Sequence, residues 1–193
     1  MVRKVVPSTS TCVLNFIPLS YSKFVIPNSC RWNASDDGQE YRGLNESISY
    51  VDTFMKKEGP FHGVIGFSQG GSFAAFLCAL QQELFTSGIL SAFPSMPSSV
   101  LSTNHFEFCI CICGLKSRIR EHQYLYEKHL KKIPSLHFLG SNDSLTPLSR
   151  KLVACFGDPK IVNHSRGHVV PPLSDADGKQ SLERFLNEQY PKL

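Results

Sequence analysis

The sequence predicts an α/β fold, a mostly parallel sheet with helices on both faces. Three observations carry this. Short apolar runs alternate with longer segments of helical spacing along most of the chain. Residues 105–113, His-Phe-Glu-Phe-Cys-Ile-Cys-Ile-Cys, are apolar at both odd and even positions from Phe108 onward, as a central strand covered on two sides requires. A compact apolar run at 61–67 leads into small and apolar residues at 69–85, which suit a helix packed hard on a sheet.

The elements follow in order. Residues 12–17 and 22–27 read as strands, and residues 28–43, rich in Ser, Asn, Asp and Gly, as a long loop. Ile48, Val51, Phe54 and Met55 recur at helical spacing within 45–57, and Gly59-Pro60 ends that helix. After the strand at 61–67, the helix at 69–85 and the strand at 105–113 come a helix over 117–132 and a strand over 135–139. A helix over 147–156, a strand over 160–163 and a last helix over 174–189 complete the chain. Side chains alternate along a strand, so Cys109, Cys111 and Cys113 are expected on one face and Phe108, Ile110 and Ile112 on the other. No repeat, low-complexity tract or linker divides the chain, so 1–193 reads as one domain.

Composition excludes several classes. Hydrophobic residues make up 41% and charged residues 19%, which fits a globular protein and not a disordered one. The net charge of +4 is spread along the chain, and Lys128-His129-Leu130-Lys131-Lys132 reads as a solvated helix face. No nucleic-acid partner is expected. No apolar run approaches the roughly 18–20 residues that span a bilayer, so no membrane span is expected. Residues 1–8 lack the unbroken apolar stretch of a secretory signal. Seven cysteines, an odd number, in a chain large enough to fold without staples read as reduced thiols. That points to the cytoplasm, with the nucleus as an alternative. Nothing in the sequence sets an oligomeric state.

The chemistry begins at Gly66-Phe67-Ser68-Gln69-Gly70, where a strand turns into a helix. A serine on such a turn is strained, and close approach of strand and helix leaves no room for side chains two positions to either side. The hydroxyl then stands above the carboxyl end of the sheet. The helix N-terminus adds positive potential and a free N–H from Gln69 for a developing oxyanion. A serine hydroxyl is a poor nucleophile alone; it needs a base, and the base needs a carboxylate to orient it. On this kind of fold the expected chain order is Ser, then Asp or Glu, then His.

Asp143 follows the 135–139 strand in Gly140-Ser141-Asn142-Asp143, where the acid belongs; the alternative is an ordinary turn or capping Asp. Asp158 precedes a strand, and Asp175 and Asp177 come after both candidate histidines. Two histidines follow the 160–163 strand. His164 continues the strand directly. His168 lies further out, after a glycine that lets the backbone turn toward the serine, and is the preferred base. His62, His105, His122, His129 and His137 read as structural or surface residues. His164 and His168 lack the helix and the glutamate of a zinc motif, and alternate cysteines on a buried strand converge poorly on a tetrahedral ion. No metal and no cofactor are expected.

With these residues placed, the chain resembles the FSH group, the family of serine hydrolases within the α/β-hydrolase superfamily. The resemblance rests on three segments: 59–70, 134–143 (Pro-Ser-Leu-His-Phe-Leu-Gly-Ser-Asn-Asp) and 164–171 (His-Ser-Arg-Gly-His-Val-Val-Pro). It implies an α/β-hydrolase-type sheet, Ser68, Asp143 and His168 as a triad, and hydrolysis of small-molecule esters with medium or long acyl chains. The chain is also similar, more distantly, to the acyl-protein thioesterase and carboxylesterase group, through Gly-Phe-Ser-Gln-Gly-Gly. An acyl-thioesterase is therefore an alternative activity.

The family also has an early strand followed by a loop whose N–H completes the oxyanion hole. Nothing in residues 1–24 matches it, and the chain reads as N-terminally truncated relative to the family, with 1–24 atypical. Cys30-Arg31-Trp32-Asn33 looks like a remnant of an aromatic-rich family loop, and Ser8-Thr9-Ser10-Thr11 reads as a solvated segment. One lost oxyanion donor costs on the order of 10²–10³ in turnover, and a lost strand would expose apolar sheet edge. The second alternative is thus a weakened or inactive hydrolase-fold protein that acts by binding a ligand or a protein.

Overall fold

A computed structural model describes residues 13–18, 33–34, 41–87, 106–172 and 176–189. Its strands are β1 (Val13–Pro18), β2 (Asn33–Ala34), β3 (Tyr41–Arg42), β4 (Phe61–Phe67), β5 (Phe108–Ile112), β6 (Ser135–Gly140) and β7 (Pro159–His164). Its α-helices are α1 (Leu44–Glu58), α2 (Gln69–Ser87), α3 (Gln123–His129), α4 (Thr146–Val153) and α5 (Ala176–Gln189). The expected strand at 22–27, the segment Ser8–Thr11, and Cys30, Arg31 and Trp32 lie outside the described residues.

One sheet has the order β1-β4-β5-β6-β7. The pairs β4–β5, β5–β6 and β6–β7 are parallel. This is the mostly parallel sheet, with helices on both faces, that the sequence pattern predicts. As the sequence pattern requires, β5 is central, and all five of its residues are buried. Two cores lie against the two faces. Ile48, Val51 and Met55 of α1, Leu77 and Leu80 of α2, and Leu125 of α3 pack with Val64, Cys109 and Cys111. On the other face Phe185 and Leu186 of α5 pack with Phe108, Ile110 and Ile112. Burying a single side chain of this kind contributes roughly 1.5–3 kcal/mol, so both helical layers are strongly held.

The structure departs from the expected pattern in four places. First, β1 runs antiparallel to β4, with Val13 opposite Phe67 and Ile17 opposite Gly63. It covers the edge of β4 that a missing strand would expose. Second, the long loop at 28–43 contains a short antiparallel ladder, Asn33–Ala34 with Tyr41–Arg42. Third, the helix expected over 117–132 is broken. Residues 114–119 are non-helical, Arg120–His122 and Leu130–Lys132 are 3₁₀ turns, and only Gln123–His129 is α-helical. Ser117 is the cause: its hydroxyl accepts the Ile119 N–H, and its carbonyl accepts the Gln123 Nε2 amide. These local bonds compete with a helical ladder. Fourth, Cys113 does not share a face with Cys109 and Cys111. The strand ends at Ile112, and Cys113 turns to a left-handed φ of 51°, which sends its side chain to the opposite core.

The basic stretch at 128–132 is only partly a solvated face. Lys131 and Lys132 are exposed, but Lys128 pairs with Glu83 of α2 at 3.0 Å, and the buried His129 hydrogen-bonds the same carboxylate. Among the described residues, no helix is long and apolar enough to cross a membrane.

Candidate active site

The turn at Ser68 is built from backbone contact. Ser68 has φ 54°, the left-handed region that a serine adopts only under constraint. Its N–H donates to the Ile112 carbonyl at 2.8 Å, and its own carbonyl accepts the Ser72 N–H at 3.0 Å and the Ser72 hydroxyl at 3.2 Å. A β-carbon on Gly66 would overlap the Gly70 carbonyl. One on Gly71 would lie 2.9 Å from the Gly66 oxygen and 3.1 Å from the Gly114 α-carbon. Strand β4, helix α2 and the end of β5 therefore meet as bare backbone, and Ser68 is held at their junction. Gln69 is the first residue of α2, so its N–H belongs to the unsatisfied first turn of that helix.

The loops that carry Asp143 and His168 leave the same end of the sheet as neighbours. Ser141 N–H donates to His164 O (2.8 Å), Asn142 N–H to Arg166 O (3.1 Å), and Asn142 Nδ2 to Ser165 O (2.6 Å). Held this way, the two loops bring Ser68, His168 and Asp143 together. His168 Nε2 stands 2.7 Å from Ser68 Oγ, and His168 Nδ1 stands 2.7 Å from Asp143 Oδ2. The other Asp143 oxygen accepts the Leu145 N–H at 2.8 Å. His164, the competing base, is the last residue of β7 and is paired in register with Gly140.

Electrostatics fix the direction of these hydrogen bonds. Burial pushes the Asp143 pKa up, but the Leu145 N–H and His168 outweigh it and hold the carboxyl below its ordinary value. Ionised Asp143 can only accept, so His168 Nδ1 donates to it. In the neutral imidazole that leaves Nε2 as an acceptor, aimed at the Ser68 hydroxyl. The ring of Phe67 tilts against His168 at 5.2 Å between centroids and limits its rotation.

Cys113 completes the surroundings, and sequence reasoning put it elsewhere. Its sulfur, an Asp143 oxygen and a His168 nitrogen lie within 4.8 Å of one another. Burial, and then the Asp143 charge, push its thiol up to about 11, so it is an S–H at neutral pH. Its position one residue past a central parallel strand, at the end where ligands bind in open α/β sheets, was the available signal.

Ser68 opens on a cavity of about 970 Å³. Tyr41, Leu115, Leu145 and Leu148 give it apolar wall, and Lys116, Arg118 and Lys151 give it charge.

A mostly parallel sheet, a strained serine at a strand-to-helix turn and a histidine–carboxylate pair on neighbouring loops are the arrangement that the sequence resemblance to serine hydrolases predicts. Residues 9–179 match the family described as Serine hydrolase (FSH1), and the chain belongs to that family. It is 36% identical over 157 residues to "Esterase OVCA2" of Danio rerio, covering 80% of this chain and 62% of that protein. It is 32% identical over 167 residues to "Esterase OVCA2" of Xenopus tropicalis, covering 86% of this chain and 64% of that protein. The chain thus spans less than two thirds of the length of either relative. Among solved structures it is similar to the Bacillus cereus carboxylesterase, with 17% identity and a TM-score of 0.41, covering 78% of this chain and 58% of that one.

Proposed function

We propose that the protein is a cytoplasmic serine carboxylesterase acting on small-molecule esters of medium or long acyl chains. The observation that carries this reading is the unbroken line of two 2.7 Å contacts from Ser68 Oγ through His168 to Asp143. Ser68 Oγ attacks the acyl carbonyl as His168 Nε2 takes the hydroxyl proton. The carbonyl oxygen becomes an oxyanion facing the Gln69 N–H at the start of α2. Collapse of the tetrahedral intermediate breaks the bond to the alcohol, which leaves with the proton from His168. The acyl group then sits on Ser68. Water, deprotonated by the same imidazole, attacks it and releases the acid, and the proton returns to Ser68. Asp143 stays ionised and stabilises the imidazolium. The cavity beside Ser68 is large enough for a medium acyl chain.

Labelling with a fluorophosphonate probe tests the nucleophile. Covalent capture that disappears in Ser68→Ala is expected; equal labelling of both proteins would reject the assignment. Rates on 4-nitrophenyl esters of rising chain length test the acyl preference, and a flat response removes it. Matched oxygen and sulfur esters separate an esterase from an acyl-thioesterase, since both share the acyl-enzyme.

One observation favours the second reading, a weakened hydrolase that acts by binding. Strand β1 enters at the Ser68 end of the sheet and leaves at the other. Pro18, its last residue, stands opposite Phe61 at the far end, whereas the family's oxyanion loop follows its strand at the nucleophile. Trace fluorophosphonate labelling together with tight retention of an acyl ligand would identify this case.

A further inference from the structure

The cavity beside Ser68 has a charge asymmetry that the esterase reading does not use. Among the described residues, its lining includes Lys116, Arg118 and Lys151 and no carboxylate. Lys116 follows Leu115 in the non-helical stretch after β5, and its ammonium lies 5.6 Å from the centre of the Tyr126 ring. Lys151 projects from α4 on another wall. Neither is in an ion pair with a carboxylate of the described residues, unlike Lys56, Lys128 and Lys160. Cations from two separate elements thus face one space that also contains the nucleophile. The apolar side chains that line the same cavity lower the local dielectric and strengthen their field.

From this arrangement we infer that the preferred substrate is an anionic ester, one bearing a carboxylate, phosphate or sulfonate group that Lys116 and Lys151 receive while Ser68 attacks the ester carbonyl. This rests on the reading of Ser68 as a nucleophile and narrows its substrate class. The apolar wall takes the hydrocarbon part, and the two ammonium groups take the charge. The anion belongs either to the acyl half or to the alcohol half of the ester.

Two pairs of substrates distinguish the halves. Mono-4-nitrophenyl glutarate against 4-nitrophenyl pentanoate places the charge on the acyl side. 4-Sulfophenyl pentanoate against phenyl pentanoate places it on the alcohol side. The readout is the anionic-to-neutral ratio of kcat/KM in the unaltered protein and in Lys116→Met/Lys151→Met, so that the intrinsic reactivity of each ester cancels. The ratio should fall by about tenfold in one of the pairs, as expected when a cleft lined by one sign of charge loses it. It should be retained in Lys116→Arg/Lys151→Arg. Ratios unchanged in both pairs would overturn the inference. If the double variant does not fold, Lys151→Met alone, at an exposed position, should lower the ratio by about threefold; no change there would also overturn it. A neutral fluorophosphonate separates the two levels. Labelling of Ser68 with unchanged ratios sinks the anionic preference alone, whereas no Ser68-dependent labelling sinks the esterase reading and this inference with it.

Discussion

Gly140 and Gly167 touch backbone to backbone: a β-carbon on Gly140 would overlap the Gly167 carbonyl oxygen. Gly140 ends β6 just before the Asp143 loop, and Gly167 immediately precedes His168. The contact sets how closely the two loops approach, and with that the 2.7 Å bond between His168 and Asp143.

Gly140→Ala should therefore impair the site more than the fold. The added methyl must push the 164–168 loop outward, and a displacement near 1 Å costs roughly 10²-fold in rate. Steady-state hydrolysis of a short 4-nitrophenyl ester, set beside a thermal melt, checks this. A large loss of stability with an unchanged rate per folded molecule would contradict it.

Asp143→Asn keeps the shape of the acid but no longer enforces the tautomer in which Nε2 accepts. The expected loss is about 10⁴ in kcat, the scale seen when a triad acid is made neutral. The circular dichroism spectrum should be unchanged, because the Leu145 N–H still has an oxygen to bond.

Cys113 predicts a smaller effect. Its sulfur lies within 4.8 Å of an Asp143 oxygen and a His168 nitrogen, and its thiol donates to the Val169 carbonyl at 3.9 Å in the base loop. Cys113→Ser retains a donor for that carbonyl and should keep most activity. Cys113→Ala removes it and leaves space beside the Asp143–His168 pair, a loss of about 1 kcal/mol or several-fold in kcat/KM. Equal activity of the two variants would show that the thiol only fills space.

Acid should destabilise the fold through two histidines outside the site. Burial lowers both His122 and His137 from 6.5 to about 4. Between these values the unfolded chain binds protons that the folded one does not, so stability falls as pH drops from 6.5 toward 4 and levels off below. Each group contributes up to roughly 3 kcal/mol over that window. Urea midpoints between pH 7 and pH 4 measure it, and His137→Gln should flatten the slope.

Much of this was legible from residue order. The turn at Ser68 is written in glycines because backbone contact there forbids side chains. Asp143 and His168 were legible because each follows a strand, and strand ends on one side of a parallel sheet converge. What escaped is what depends on long-range pairing or local competition. The direction of β1 is set by its partner β4 and not by its own composition. The break in the 117–132 helix comes from Ser117 bonding its own neighbours. The reversal at Cys113 comes from one left-handed residue, which strict strand alternation cannot anticipate. The cationic cavity joins residues from separate elements, so no contiguous motif announces it.

The joint of Gly66, Gly71 and Gly114 has one more consequence. Side chains hop between rotamers, so a seam made of them has slack that grows with warming. A seam made only of main chain has no rotamers to sample. The serine hydroxyl should therefore keep its height above the sheet as temperature rises, until the fold itself gives way. Activity should then follow a straight Arrhenius line up to the melting transition and end there abruptly, without the gradual softening expected of a nucleophile carried on a loop.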